Sequence, residues 1–431
     1  MIIKNIAKFL SQNIGIKQTI LKNTFWLTSS QVIAGTLSAI LAILIARHLG
    51  VEGFGKFSFA FSFVVIFSVF TDFGLITLTT RELARNGLMV KKYIDNIIII
   101  KFILGLLTLG IIILALNFLN KTAEVKLLIF WAGIWMIIQS FPHFFQSIFR
   151  AFEQMEYEAI SKIAYSLTSF IIVFYIINTS LGLKFLIQGY VFSALVGLII
   201  TIFLIRKRFV KFKSEVDLLF WKNLFREAWP FAIFTIFAGV YFQISTVILS
   251  ILDTDSAVGL YSIAFNSVII FFVLPDIVSG SVLPTLSKLF VKKNLLKELS
   301  KKLIILMLCI GLILAIVLFF GAPFFIKLIY GKEFAGATLA FQIMVWVLPL
   351  RFMNYLFAVF LIAANLQKKR LNAAIICALF NILMNLILIP AFSFEGAAVA
   401  TLLTEIILFL LYFIFYKNVI KSDNKSQILT V

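Results

Sequence analysis

Twelve long apolar runs follow one another along the chain, separated by short polar segments. Each is about 20 residues long, enough for an α-helix to cross roughly 30 Å of hydrocarbon. Because a backbone in lipid must satisfy its own hydrogen bonds, runs of this length predict transmembrane helices. They lie near residues 24–46, 57–78, 94–117, 125–149, 160–178, 184–205, 228–252, 262–284, 303–326, 338–364, 371–391 and 396–416.

The composition agrees with this pattern. Of 431 residues, 62% are hydrophobic and only 13% are charged, which excludes a soluble domain. The predicted fold class is therefore an all-α polytopic membrane protein. The loops are too short to hold an extramembrane domain.

The net charge of +19 is distributed as a topology signal. With the N-terminus in the cytoplasm, 29 of the 38 lysines and arginines fall in the inner segments and 7 in the outer loops. This asymmetry predicts an even number of spans with both termini cytoplasmic, and it makes nucleic acid an unsuitable partner.

The chain contains an internal repeat. At a shift of 204 residues, GKFSFAFSFVVIFSVFTD (residues 55 to 72) aligns without a gap with GLYSIAFNSVIIFFVLPD (residues 259 to 276), so that Gly55 meets Gly259 and Asp72 meets Asp276. Two parallel six-helix halves around a central cavity would carry a substrate by rocking between inward-open and outward-open states. The predicted parts are an interfacial amphipathic segment at 1–22, bundles at 23–205 and 228–416, a basic cytoplasmic linker at 206–227 and a cytoplasmic tail at 417–431.

Four stretches resemble one family. GLITLTTRELARN (74 to 86), IFRAFEQMEYEAISKIAYSL (148 to 167), YGKEFAGATLAFQIM (330 to 344) and NLILIPAFSFEGAAVATLLTE (385 to 405) are similar to Wzx-type lipid-linked oligosaccharide flippases of the MATE-like exporter superfamily. In the last stretch, Ser393 and Phe394 stand where many relatives have a glycine.

The resemblance implies a twelve-helix fold in the bacterial cytoplasmic membrane. It also implies a substrate of undecaprenyl-diphosphate-linked sugar repeat units, moved to the outer leaflet for O-antigen, capsule or exopolysaccharide synthesis. A polysaccharide polymerase and a chain-length regulator are the partners expected from it. No catalytic, metal or nucleotide-binding motif is present, so we expect a transporter without a cofactor, with H⁺ or Na⁺ coupling left open.

Polar groups inside the runs are the candidate substrate ligands, because a charge in the bilayer usually faces a partner or water. Arg351 falls near the middle of span 10, and its guanidinium could bind phosphate bidentately; the alternative is an ion pair with Glu405 or Asp276. Lys101 could face the cavity or extend to lipid headgroups. The other candidates are Arg47, which could instead be an interfacial anchor, and Asn381 and Asn385, which could instead join helices.

Three carboxylates are candidates for coupling or gating. Glu405 in span 12 could couple transport to an ion, or could simply pair with Arg351. Asp72 and Asp276 occupy equivalent places in the two repeats and could cap a helix or pair with Arg81, Arg85 or Lys288 at an inner gate. His143 after Pro142 is interpreted as structural, and Cys309 and Cys377 as packing residues.

Other functions fit parts of the pattern. A multidrug exporter of the same superfamily would share the fold but favour an acidic cavity, against Arg351 and Lys101. A membrane glycan polymerase or ligase would need a larger outer loop, a peptidoglycan-precursor flippase usually has more spans, and a purely structural protein would leave the intramembrane charges unexplained.

Overall fold

The computed structural model describes residues 13, 15–209, 216–289 and 293–421. Nearly all of them are helical, and no β-strand occurs among them, which confirms the predicted all-α class. Short 3₁₀ turns lie at Gly87–Met89, Ile270–Phe272 and Lys332–Ala337. The helices are α1 (Ile16–Asp72), α2 (Leu75–Arg85), α3 (Val90–Phe118), α4 (Ala123–Ala151), α5 (Met155–Asn178), α6 (Leu183–Arg208), α7 (Leu218–Leu252), α8 (Asp255–Ile269), α9 (Val273–Leu289), α10 (Lys293–Ile329), α11 (Thr338–Met344), α12 (Val347–Ala363) and α13 (Gln367–Lys421).

Within these described ranges, nine helices are long and apolar enough to cross a membrane, or ten when the bent segment formed by Lys332–Met344 and α12 is counted as one. Two of the nine, α1 and α13, have 57 and 55 residues, more than twice the length that one crossing needs. The protein is therefore a multi-pass membrane protein. The number of twelve crossings stays a prediction.

The chain reverses direction inside α13 at Ser393, whose φ of 52° and ψ of −135° are not helical. Asn381 donates to the Thr404 hydroxyl at 3.0 Å, although 23 residues of straight helix would separate them by about 35 Å. A positive φ is easiest for glycine, and here a serine adopts it. The other long helix, α1, has its break at Gly50, with φ 67° and ψ −174°.

Span 10, predicted as one run, is broken: its two parts meet at 45°. Pro349 lies in the first turn of α12 and has no N–H to donate to the carbonyl of Val345, so the helix can restart but not continue through this point. Gly311 of α10 packs against the Pro349 backbone, where a Cβ would lie 2.7 Å from the proline Cα. The break stands just before Arg351.

The predicted extramembrane segments are only partly described. α1 begins at Ile16 and continues into the first span, so residues 16–22 do not form a separate interfacial helix; residues 1–12 and 14 lie outside the described residues. In the predicted linker, α6 extends to Arg208 and α7 begins at Leu218, while 210–215 lie outside. In the predicted tail, α13 extends to Lys421, and 422–431 lie outside.

Two compact units divide the chain: unit 1 comprises residues 1–48 and 63–236, and unit 2 comprises 49–62 and 237–431. In unit 1, α4, α5 and α6 pack on one another. A buried cluster joins α2, α3, α4 and the start of α7, including Leu75, Ile97, Phe144 and Leu224. In unit 2, α12 packs between α10 and α13.

Unit 2 contains a close crossing between residues 49–62 of α1 and helix α8. A Cβ on Gly55 would lie 1.7 Å from the carbonyl oxygen of Asp255, and one on Gly259 would lie 2.1 Å from that of Val51. Gly55 and Gly259 are 204 positions apart, and so are Val51 and Asp255. Each glycine therefore meets the carbonyl that is the repeat equivalent of the one met by the other glycine. We call this contact the glycine crossing, and it supports the internal repeat.

Backbone conformation supports the repeat further along the chain. Outside glycine, positive φ values occur at Glu153 (55°) and Asn365 (58°), 212 positions apart, and at Ser180 (53°) and Ser393 (52°), 213 apart. Each pair follows equivalent helices: α4 and α12, then α5 and the first part of α13. The offset has therefore grown by about eight residues after the crossing.

Candidate functional site

The charged residues predicted in spans 10 and 12 meet in unit 2. The Arg351 Nη1 donates to Glu405 Oε1 at 2.7 Å, and Asn354 Nδ2 donates to Glu405 Oε2 at 2.7 Å. The Tyr241 hydroxyl donates to the same Glu405 Oε1. The side chains of Arg351 and Glu405 are only 10% and 3% exposed, so this carboxylate is enclosed by donors.

Four aromatic rings surround the guanidinium of Arg351. The ring centroids of Tyr241, Phe242, Phe272 and Tyr355 lie 4.9–5.8 Å from its central carbon. A cation over desolvated ring faces gains about 2 kcal/mol or more from each favourable contact. Beside Glu405 is a cavity of about 20 Å³, with room for one water molecule.

The two predicted asparagines bond between helices in the same unit. Asn385 Nδ2 donates to Ser245 Oγ of α7 at 3.0 Å and to the Asn381 carbonyl at 2.7 Å. Asn381 bonds to Thr404 beyond the reversal, and it also lines the small cavity. The role of joining helices is therefore present in this pair, and the predicted contact with substrate stays a prediction.

A larger cavity lies in unit 1, with a volume of about 410 Å³. It extends along α4 from Gln139 to Arg150, about 16 Å of helix. Its polar lining residues are Ser38, Gln139, His143, Gln146, Arg150, Ser161, Lys162, Tyr165 and Ser166. Polar and basic groups dominate one end of it.

Two cations stand at that end. Arg150 donates from Nε and Nη2 to both oxygens of Glu158, at 2.8 and 2.6 Å, in a bidentate pair in which the Arg150 side chain remains 40% exposed. Lys162 donates to the neutral side chain of Gln31. Glu158 balances the charge of Arg150, so Lys162 makes the net charge at this end of the cavity positive.

Our sequence analysis did not single out Arg150, Glu158 and Lys162. All three lie in IFRAFEQMEYEAISKIAYSL, which served only to indicate the family. The signal was available there, because Glu158 and Lys162 are four residues apart and so share one face of a helix that contains few other charges.

Lys101 is buried in unit 1 and pairs with Asp72. Its Nζ donates to the Thr71 carbonyl at 3.0 Å and to Asp72 Oδ1 at 3.3 Å, with the Lys101 side chain 0% exposed. The extension to headgroups considered above is therefore wrong. Within the described part of unit 1, Lys101 does not line the cavity, and its predicted substrate role stays a prediction.

Asp72 has a capping role, and it pairs with Lys101 rather than with the predicted Arg81 or Arg85; the side chain of Lys288 lies outside the described residues. Asp72 accepts the Ile76 N–H at 3.2 Å at the start of α2. Arg81 instead pairs with Glu227 and Glu82, and Arg85 with Glu82. Lys101 is the partner because α3 places its side chain against the end of α1, where it reaches both the Thr71 carbonyl and Asp72.

The repeat equivalent of Asp72 differs from it. Asp276 is exposed in the first turn of α9, and it is not the partner of Arg351. At the same shift of 204, Ile305 stands where Lys101 would be. The two aspartates are thus equivalent in position, but the ion pair that Asp72 makes with Lys101 has no counterpart at Asp276 among the described residues.

The structure also places Arg47, His143 and the two cysteines. Arg47 is exposed three residues before the break at Gly50. His143 follows Pro142 inside α4. Its side chain faces the unit 1 cavity and is therefore accessible. Cys377 is buried, and Cys309 is exposed on an apolar helix.

These features define a class: an all-α multi-pass membrane protein with an internal repeat, a polar cavity in one unit and a buried ion pair in the other. The family model described as "Polysaccharide biosynthesis protein" matches residues 20–290, and the MatE model matches residues 230–387. The chain belongs to the polysaccharide biosynthesis protein family. This confirms the predicted family.

Named relatives agree with the family. The capsular polysaccharide biosynthesis protein CapF of Staphylococcus aureus is 22% identical, over 90% of this chain and 98% of that protein. The probable low-salt glycan biosynthesis flippase Agl15 of Haloferax volcanii is 24% identical, over 83% of this chain and 75% of that protein. The name of Agl15 is that of a flippase and not of a catalytic enzyme, as we expected.

Two solved structures share the fold. The inward-facing conformation of a multidrug resistance MATE family transporter of the MOP superfamily has a TM-score of 0.73 at 16% identity, covering 90% of this chain and 96% of that one. The lipid II flippase MurJ in an inward closed conformation has a TM-score of 0.71 at 17% identity, covering 91% and 87%. At these identities the likeness concerns the fold alone.

Proposed function

We propose that this protein is a flippase for polyprenyl-diphosphate-linked oligosaccharides. It moves the diphosphate and its glycan from the cytoplasmic to the outer leaflet by alternating access, while the polyprenyl tail stays in lipid. The family and the names of the relatives support a flippase role. Surface polysaccharide synthesis would then use the product, with a polymerase and a chain-length regulator as proposed partners.

The observation that carries this proposal is the charge of the unit 1 cavity. Its volume of about 410 Å³ lies within the range of ligand pockets, about 300–1,000 Å³. Arg150 stands one residue before the end of α4, which the distribution of basic residues predicts to be cytoplasmic. Lys162 and the exposed edge of Arg150 would therefore meet a diphosphate arriving from the cytoplasmic leaflet.

Export of cationic drugs, the leading alternative, fits this cavity less well. A cationic ligand needs an acidic partner, yet Glu158 is already bound on both oxygens by Arg150. In unit 2, Glu405 is bound by Arg351, Asn354 and Tyr241. A cation entering the unit 1 cavity would instead meet the ammonium of Lys162, which repels it.

Replacing Lys162 tests the proposal. In proteoliposomes with a fluorescent, short-chain polyprenyl-diphosphate saccharide, we expect Lys162→Gln to lower the rate of leaflet exchange about tenfold. This estimate follows from the roughly 1.5–3 kcal/mol of a hydrogen bond to a charged group. The measurement is the fraction of label that a membrane-impermeant quencher can reach over time.

Lys184→Gln is the matched control, because Lys184 is exposed at the start of α6 and lies outside the cavity. It should exchange lipid at the wild-type rate. Wild-type protein that extrudes ethidium but leaves the diphosphate lipid in place would refute the flippase and favour the drug exporter. An unchanged rate in Lys162→Gln would show that the cavity is not the route.

A further inference from the structure

The donors around Glu405 form an anion-binding site that the protein fills with its own carboxylate. A guanidinium nitrogen of Arg351 and the phenol of Tyr241 donate to one oxygen, and the amide of Asn354 donates to the other. These three donors come from α7 and α12, whereas Glu405 comes from the part of α13 beyond the reversal at Ser393. The carboxylate can therefore leave without removing the donors.

The site has unused bonding capacity. Among the described residues, the buried Arg351 Nε and Asn354 Oδ1 have no hydrogen-bond partner. A carboxylate offers two oxygens in one plane, whereas a diphosphate esterified at both ends offers four non-bridging oxygens on two tetrahedral phosphorus atoms, and these match the donor fork of arginine. A diphosphate in place of Glu405 could engage Nε as well.

The surroundings would hold the cation during an exchange. Phe242 and Phe272 lie with their ring centroids 4.9 and 5.0 Å from the guanidinium carbon, so Arg351 keeps favourable contacts when its carboxylate is withdrawn. The small cavity beside Glu405 gives the displaced carboxyl an adjacent polar space, lined by Asn381 and Thr401.

We propose that Glu405 is an internal substitute for the substrate's diphosphate, and that the two exchange on Arg351 with uptake of one proton by Glu405. This rests on the proposed function, which supplies the diphosphate. When the substrate's phosphate binds Arg351, the Glu405 carboxylate takes a proton from water and becomes a neutral acid. When the substrate leaves, Glu405 releases the proton and pairs with Arg351 again, so each diphosphate moved is linked to one proton.

A buried carboxylate released from its arginine would otherwise be an unpaired charge in an apolar bundle, which is strongly unfavourable. Protonation removes that charge. Among the described residues, the other titratable groups that face the site are the phenols of Tyr241 of α7, Tyr261 of α8, Tyr355 of α12 and Tyr412 of α13, and the thiol of Cys377 of α13. Phenols and thiols are neutral between pH 5 and 8 at their ordinary pKa values.

The test measures binding of dimethyl diphosphate, with one methyl ester on each phosphate, to the full-length protein in detergent, by calorimetry from pH 5.5 to 8. Like the proposed substrate and unlike inorganic pyrophosphate, this probe does not change its own charge in that range. We expect wild-type affinity to fall as pH rises, because the ionised Glu405 competes for Arg351. Glu405→Gln should bind about tenfold more tightly at pH 8, with little pH dependence. Arg351→Ala, alone or with Glu405→Gln, should lose this binding.

Glu298→Gln is the matched control: Glu298 is a surface carboxylate paired with Lys302 at 2.7 Å, and its substitution should leave wild-type affinity. Glu405→Gln binding no more tightly than the control, or tight binding that survives the added Arg351→Ala, would overturn the proposal.

A second measurement uses the unaltered protein, in case Glu405→Gln does not fold. In weak buffer, dimethyl diphosphate should cause uptake of about one proton per molecule bound, beyond that seen with Arg351→Ala; no excess uptake would refute the exchange. The proposed function can fail separately. If the protein binds dimethyl diphosphate in this way but moves no lipid-linked saccharide, the exchange site stands and the flippase function is refuted.

Discussion

Equivalent places in the two units hold an open cavity and a closed cluster. The offset of 212 between Glu153 and Asn365 aligns Gln139 with Arg351, and His143 with Tyr355. In unit 1, Gln139 and His143 line a space of about 410 Å³. In unit 2, Arg351 and Tyr355 belong to a cluster whose adjoining space is about 20 Å³.

The difference shows how one helical scaffold can be open or closed at the same point. In unit 1, Gln139 and His143 stand at these positions, and the helices enclose a polar space. In unit 2 an arginine and a glutamate satisfy each other, and aromatic rings fill the surroundings. Closure in unit 2 therefore depends on a charge pair that an anion or a proton could break.

Unit 1 also has a buried ion pair, but in another place. Lys101 and Asp72 join α3 to the turn between α1 and α2, outside the cavity lining of the described residues. Asp72 additionally caps α2. This pair holds helices together, whereas Arg351 and Glu405 stand where a ligand could replace one partner.

Replacing Lys101 should have the largest effect on stability. Lys101→Met leaves Asp72, whose side chain is 17% exposed, without its fully buried cation, and breaking a buried pair destabilises by up to about 3–5 kcal/mol. We expect a clear loss of thermal stability in detergent, with leaflet exchange per folded molecule close to wild type. Lys184→Met is the surface control. If Lys101→Met is as stable as wild type but does not transport, Lys101 contacts the substrate instead.

The glycine crossing should give the next largest effect. Gly55→Ala and Gly259→Ala each place a methyl group against a backbone carbonyl, and overpacking of this kind costs about 1–3 kcal/mol. Because the contacts are reciprocal, the two losses of stability should be similar.

Gly110→Ala provides the control, since nothing lies within 4 Å of its added Cβ inside α3. Alanine favours a helix over glycine by about 1 kcal/mol, so this variant should be slightly more stable than wild type. A loss confined to one of the two crossing glycines would mean that the crossing is not symmetric in energy.

The sequence was sufficient for the helices, the repeat and the family, because each is a property of consecutive residues. Apolar length predicts spans, and the match of Gly55 with Gly259 predicts a relation that the reciprocal contacts support. The capping role of Asp72 was also predictable, since it depends on residues a few positions away. Arg351 and Glu405 were paired as one of two alternatives.

What the sequence could not supply was the choice among partners across helices. Lys101 and Asp72 are 29 residues apart, and nothing local distinguishes Lys101 from Arg81 as the partner. The break before Arg351 depends on Pro349 together with the close packing of Gly311 from another helix. The unit 1 cavity depends on side chains from several helices at once, so its lining emerges only from the packing.

The smallest effect is expected at a third, exposed ion pair, which sets a baseline for the two buried ones. Lys92 Nζ lies 2.7 Å from Asp217 Oδ2, with both side chains about 40% exposed, and this hydrogen bond holds the pKa of Asp217 below its ordinary value. A lowered pKa in the folded state means stability that is present at neutral pH and lost as pH falls through that pKa, below about 3.9. Water and salt screen such pairs.

Asp217→Asn should therefore change thermal stability little at pH 7, and less still at high salt. The backbone N–H of Asp217 and the indole of Trp221 would still donate to Asn96 Oδ1, at 2.9 and 2.8 Å, because neither bond uses the carboxylate. Asn96→Ala removes both of these bonds and should cost more than Asp217→Asn. A loss in Asp217→Asn as large as that in Lys101→Met would show that burial does not decide the strength of ion pairs in unit 1, and would end the distinction between them.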